Sequence, residues 1–104
     1  MTQREADFCI SAITHYEIGI GSKKSNNDFW TLLYKNLTVI PFNQACSSTA
    51  INIYLDLKKK NKLIDIADLF IGATALAYNF KLATLNQKHF LRIGGLEIIE
   101  YARR

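Results

Sequence analysis

Residues 64–90, IDIADLFIGATALAYNFKLATLNQKHF, decide how the rest of the chain is read. The stretch opens on two carboxylates, Asp65 and Asp68. A nearly unbroken apolar run follows over 69–80, then the short KLAT at 81–84 and the polar LNQKHF at 85–90. A helix apolar on most of its faces is buried on most of its faces. The pattern therefore predicts a buried helix over about 68–79, a buried strand over about 81–84, and a loop with a helical turn over 85–92. An aspartate at the mouth of such a helix is either a cap for its N–H groups or part of a site, and both readings stay open here.

Upstream, Asn43 is placed to start a long helix reaching about Lys60, with Ala50, Ile53, Tyr54 and Leu57 on one face. Lys58, Lys59 and Lys60 close it, where cations suit the negative end of the helix dipole, and Asn61 takes the left-handed stop. Residues 38–42, TVIPF, read as a strand with Pro41 at its end, since proline cannot donate to a ladder. Residues 28–36 read as an amphipathic helix after the polar turn KKSNN. Residues 8–13, FCISAI, read as a buried strand, followed by a short helix weakened by Gly19 and Gly21. Downstream, Gly94 and Gly95 mark a turn, residues 96–100 a last strand, and YARR a basic tail. Strands alternating with helices predict an α/β fold with a parallel sheet covered on both faces. In such sheets ligands bind beyond the carboxyl ends of the strands.

The 104 residues predict a single domain, 1–104, and 49% apolar against 21% charged residues predicts a folded one. No apolar run reaches the roughly 18 residues that span a bilayer, and MTQREADF lacks the pattern of a signal peptide. The expectation is a cytoplasmic protein with no membrane partner. Cys9 and Cys46 have no metal-ligand spacing and read as buried thiols. The net charge of +4, from 13 basic and 9 acidic residues, leans mildly towards an anionic partner such as nucleic acid.

The candidate chemistry lies in a few polar residues. Glu17 stands three residues after Thr14, a spacing that fits a capping box, and spacing alone favours that role over a ligand. Asp68 is the sharper candidate, because buried residues follow it at once, while Asp65 reads as a cap. Two or three carboxylates around one point suit Mg²⁺ or Mn²⁺, which bridge to phosphate and activate water. Thr84 and Asn86 follow the predicted strand, where an ordinary turn with Asn86 as N-cap is the plainer reading. His89 fits a phosphate contact or a general acid, with a surface position the plainer alternative. Lys88 and Arg92 lie close to the same loop and are phosphate-contact candidates, whereas Lys58–Lys62 fit a solvated helix end.

Taken in order, ISAITHYEIGIGS, VIPF, IDIADLFIGATALA, LATLNQKHF and GGLEII resemble the PIN-domain nucleases, in particular the VapC-type toxins of bacterial toxin–antitoxin pairs. The resemblance implies a three-layer α/β/α fold with a central parallel sheet, and Mg²⁺- or Mn²⁺-dependent cleavage of RNA by clustered acids. It implies structured RNA such as tRNA as substrate, a homodimer, and a cognate antitoxin as partner. Glu17 falls on the family's glutamate and Asp68 on the aspartate opening its D-x-x-I-x-A-x-A helix. Ser11 and Thr14 match the frame around Glu17, and Thr84 and Asn86 fall on the T-x-[ND] loop.

Two departures qualify that resemblance. The family begins with a strand carrying a first catalytic aspartate, and no such segment precedes residue 8; Asp7 does not replace it. A fold incomplete at its N-terminus is therefore expected, from a late start or a truncated copy, with strands left partly unpaired. The family's fourth acid is also missing, with Asn86 or His89 in its place. The alternative to an active nuclease is an impaired remnant that only binds antitoxin or dimerises.

Overall fold

The computed structural model describes residues 8–21, 37–84 and 87–99. The helix expected over 28–36, the 23–27 turn, Asn86 and the 101–104 tail lie outside the described residues. The chain forms two compact units, 1–41 and 42–104.

In the first unit, β1 (Phe8–Ser11) pairs in parallel with β2 (Leu37–Ile40), in register from Phe8 with Leu37 to Ser11 with Ile40. Pro41 falls one residue beyond β2, as its missing donor requires. Helix α1 (Ala12–Gly21) leaves β1 without a loop. The strand thus stops at Ser11 and not at Ile13. The reason is local: Thr14 N–H donates to Ser11 Oγ at 3.0 Å, and Ser11 Oγ–H donates to Thr14 Oγ1 at 3.1 Å. Ser11 is the residue that caps this helix, and the expected capping box from Thr14 to Glu17 is not the one used. Cys9 is exposed, contrary to expectation, because no described element of this unit covers its face of β1.

The second unit is built on α2 (Gln44–Lys59) packed against α3 (Ile66–Ala77). Asn43 caps α2, its Oδ1 accepting the Cys46 N–H at 3.1 Å. Cys46, Ala50, Ile53 and Leu57 form the buried stripe. Tyr54, expected on that stripe, lies at its exposed flank, where Lys58 Nζ sits 5.8 Å from its ring centroid. Spacing of one residue beyond Ile53 rotates it about 100° away from the core.

Both helices end the same way. Asn61 takes φ 60°, its N–H reaches Lys58 O at 3.0 Å, and Lys62 N–H reaches Leu57 O at 2.8 Å. Asn79 takes φ 63°, its N–H reaches Leu76 O at 3.1 Å, and Phe80 N–H reaches Ala75 O at 2.8 Å. These are paired Schellman closures with asparagine in the left-handed position.

Helix α3 begins two residues earlier than expected, and is buried at Leu69, Gly72, Ala73, Thr74 and Ala75. The buried Thr74 hydroxyl is satisfied by Phe70 O at 2.8 Å. Strand β3 (Leu82–Ala83) pairs in parallel with β4 (Ile98–Ile99), with the turn α4 (Gln87–Phe90) and a Gly95 at φ 85° between them. Phe90 and Ile93 complete a core with Ala50, Ile53, Leu57, Leu69 and Ala73. All described strand pairs are parallel, as predicted, but they form two two-stranded pieces and not one continuous sheet among the described residues.

Candidate active site

Asp65 occupies the N-cap position of α3 with extended backbone, and its carbonyl accepts the Leu69 N–H at 2.9 Å. Its side chain makes no capping hydrogen bond. The expected cap is thus realised in position only. Asp68 falls in the first turn of the helix, where the partial positive charge of unpaired N–H groups suits a carboxylate. Leu69 follows it into the core.

Asp68 is about one-fifth exposed, with a side-chain accessibility of 21%, and a partly buried carboxylate needs a partner. The partner is His89, whose Nδ1 lies 3.1 Å from Asp68 Oδ2. An ionised carboxylate only accepts, so Nδ1 carries the hydrogen in this bond. Asp68 Oδ2 is thereby used and Oδ1 is left to other contacts. This pairing was not visible in the sequence: the residues are 21 positions apart, and no spacing rule links a first-turn acid to a later histidine. His89 is half-buried and hydrogen-bonded, not simply at the surface.

Arg92 follows one turn after His89. Its Nη1 donates to Leu63 O at 3.1 Å and Lys62 O at 3.3 Å. The guanidinium holds the loop that leads into α3, a role distinct from the phosphate contact read from sequence. Lys88 is exposed on α4, and Thr84 is half-buried directly after β3. In the first unit, Glu17 lies in the middle of α1 with an exposed side chain, released from any capping role by Ser11, while Thr14 is held in the cap.

A hard divalent cation needs several oxygen donors around one point. Among the described residues, no three of His, Cys, Asp and Glu gather into such a group. In the second unit Asp68 offers one carboxylate beside an imidazole, which falls short of that donor set. Also among the described residues, no helix is long and apolar enough to cross a membrane.

These features define a class: an α/β protein with parallel strand pairs and an acid held at the mouth of a buried helix. The PIN domain model matches residues 2–96, and the chain belongs to the PIN-domain family. It is 35% identical to Ribonuclease VapC1 of Rickettsia felis over 98 residues, which is 86% of this chain and 73% of that protein. Its fold matches the crystal structure of VapBC2 from Rickettsia felis bound to a promoter DNA fragment. The TM-score is 0.83 and the identity 28%, over 92% of this chain and 76% of that one. The structure of VapBC-1 from nontypeable Haemophilus influenzae gives a TM-score of 0.80 and 29% identity, over 90% of this chain and 74% of that one. The α/β, PIN-like fold expected from the sequence is borne out.

Proposed function

We propose that this chain is a VapC-type ribonuclease toxin that hydrolyses RNA phosphodiester bonds in the cytoplasm. The observation that carries this reading is Asp68: a partly buried, partnered carboxylate in the first turn of the core helix of a PIN-domain protein. Glu17, on the exposed surface of α1, is the second acid in the proposal, resting on its match to the family motif. Thr14, Thr84 and Asn86 enter the proposal by their match to the family motifs, and Lys88, exposed on α4, is the cation assigned to phosphate.

A divalent cation, Mg²⁺ or Mn²⁺, belongs to this reading through the family, although the described residues do not supply its full donor set. When bound, such an ion activates water and neutralises charge at the scissile phosphate. The chain's own part is to present carboxylate oxygens and to bring cationic side chains to the RNA backbone. The structural relatives are VapBC assemblies, which supports an antitoxin and a second copy of the chain as partners.

The test is cleavage of a structured RNA, tRNA included, by the purified chain with Mn²⁺, alongside Glu17→Gln and Asp68→Asn. Cleavage that both substitutions abolish while thermal stability holds is the expected result. Intact RNA at saturating Mn²⁺ overturns the active-nuclease reading in favour of the remnant that only binds its partner.

A further inference from the structure

We propose that His89 is a positioning residue for Asp68: it locks one carboxylate oxygen so that the other faces the reaction. The inference rests on the functional reading of Asp68 given above, and goes beyond it by assigning His89 a defined hydrogen-bond role.

The geometry begins in the core. Residues 87–93 divide into two sides. Phe90 and Ile93 are buried at 4% and 3% exposure and anchor the segment against α3, where Gly72 lets Ile93 come close. His89 and Arg92, also three apart, make the polar contacts: His89 to Asp68 in the first turn of α3, Arg92 to the carbonyls of Lys62 and Leu63 just before it. The segment itself is braced by the Arg92 N–H to His89 O bond at 3.2 Å and the Ile93 N–H to Phe90 O bond at 3.1 Å. The imidazole therefore reaches Asp68 from a rigid base.

An aspartate at a helix mouth otherwise turns about its side-chain torsions and spends time bonding exposed N–H groups of its own first turn. The Nδ1–H···Oδ2 bond at 3.1 Å removes that freedom. It also requires hydrogen on Nδ1, the ring nitrogen that free neutral imidazole in water tends to leave bare. Outer partners of this kind orient a reacting ligand without touching the substrate. A second carboxylate 3 Å from Asp68 would repel it, while an imidazole N–H holds it.

Two measurements on the full chain test this. The first is ¹⁵N NMR of the His89 ring. The expected spectrum is the Nδ1–H form in the wild type and conversion to the Nε2–H form in Asp68→Ala. A wild-type ring in the Nε2–H form overturns the proposal. The second is RNA cleavage at saturating Mn²⁺ by His89→Asn, His89→Gln and His89→Ala, each checked for an unchanged melting temperature. Asparagine can place an N–H where Nδ1 stands; glutamine reaches to the Nε2 position and alanine to neither. The expected kcat is near wild type for His89→Asn and about 10- to 100-fold lower for the other two, with KM little changed. Equal loss in all three overturns the positioning role. A wild-type chain that cuts no RNA overturns the functional reading, and the ring spectra then decide on the His89 contact alone.

Discussion

Gly72 lies so close to Ile93 that a Cβ on Gly72 would stand 2.5 Å from Ile93 Cδ1. Phe90 Cδ1 and Leu96 Cδ2 close the remaining sides at 3.6 and 3.7 Å. Ile93 is 3% exposed, so its methyl cannot swing into solvent. Gly72→Ala gains about 1 kcal/mol of helix propensity but overpacks a filled core, at about 1–3 kcal/mol. The expected net result is a loss of about 1 kcal/mol, read as a lower urea midpoint. Adding Ile93→Val removes the offending methyl, and the double variant should recover part of the loss despite creating a cavity of its own. A stabilised Gly72→Ala single variant would show that the 89–93 segment yields easily, and would undercut the rigid base on which the role of His89 depends.

Asn61 and Asn79 both hold positive φ at helix ends, at 60° and 63°. A residue with a Cβ and no compensating side-chain hydrogen bond is strained there by about 1–2 kcal/mol. Asn79→Ala should therefore cost about 1 kcal/mol, while Asn79→Gly should be neutral or slightly stabilising. Thermal melts of the two variants, and of the matching pair at Asn61, check this. Equal effects of alanine and glycine would mean that the asparagine side chain, not the backbone angle, matters at these positions.

Much of the second unit was legible because its signals are local. Asn43, the lysines 58–60 and Asn61 mark the ends of α2, and the helix runs from Gln44 to Lys59. The first unit was less legible, because two overlapping spacings compete. Thr14-x-x-Glu17 and Ser11-x-x-Thr14 are both cap-like, and a helix start at Ala12 settles on the second. That choice depends on where β1 stops pairing with β2, at Ser11 with Ile40, which is a tertiary fact. The exposure of Cys9 and Tyr54 has the same origin: composition gives their tendency, but neighbouring elements decide which face is covered. Within the candidate site, Asp68 was legible from its place before a buried run. Its bond to His89 was not, because only folding brings residues 68 and 89 together.

Asn43 makes two hydrogen bonds with separable consequences. Its Oδ1 accepts from Cys46 N–H at 3.1 Å, and its Nδ2 donates to the Tyr78 hydroxyl at 2.9 Å in an exposed setting. The cap carries most of the stability, so Asn43→Ala should cost about 1 kcal/mol. Asn43→Asp keeps the acceptor and adds a charge to a first turn that has no acid, which favours it by about 0.3–1 kcal/mol. Chemical denaturation should place Asp at or above wild type and Ala clearly below. Tyr78→Phe, which removes only the exposed bond, should stay within about 0.5 kcal/mol of wild type. A larger loss in Tyr78→Phe than in Asn43→Ala would reverse the assignment.

Arg92 separates a structural from a nucleic-acid role. Its Nη1 bridges the carbonyls of Lys62 and Leu63, two neighbouring acceptors that suit a planar, fixed donor. Both bonds are exposed, so solvent screening brings their combined worth to about 0.5–1 kcal/mol, below the usual range for charge-assisted bonds. Lysine keeps the charge but is a compact point donor without the fork. If the residue serves mainly as a latch on the loop before α3, Arg92→Lys and Arg92→Ala should lose similar stability. Both should then leave the salt dependence of RNA affinity unchanged. If it serves mainly as a phosphate contact, Arg92→Lys should retain affinity. Arg92→Ala should then reduce the slope of log affinity against log salt by about 1. The two carbonyl contacts favour the first outcome, with both variants losing about 0.5 kcal/mol in chemical denaturation. A preserved melting temperature together with a reduced salt slope in Arg92→Ala would return Arg92 to the RNA-binding surface.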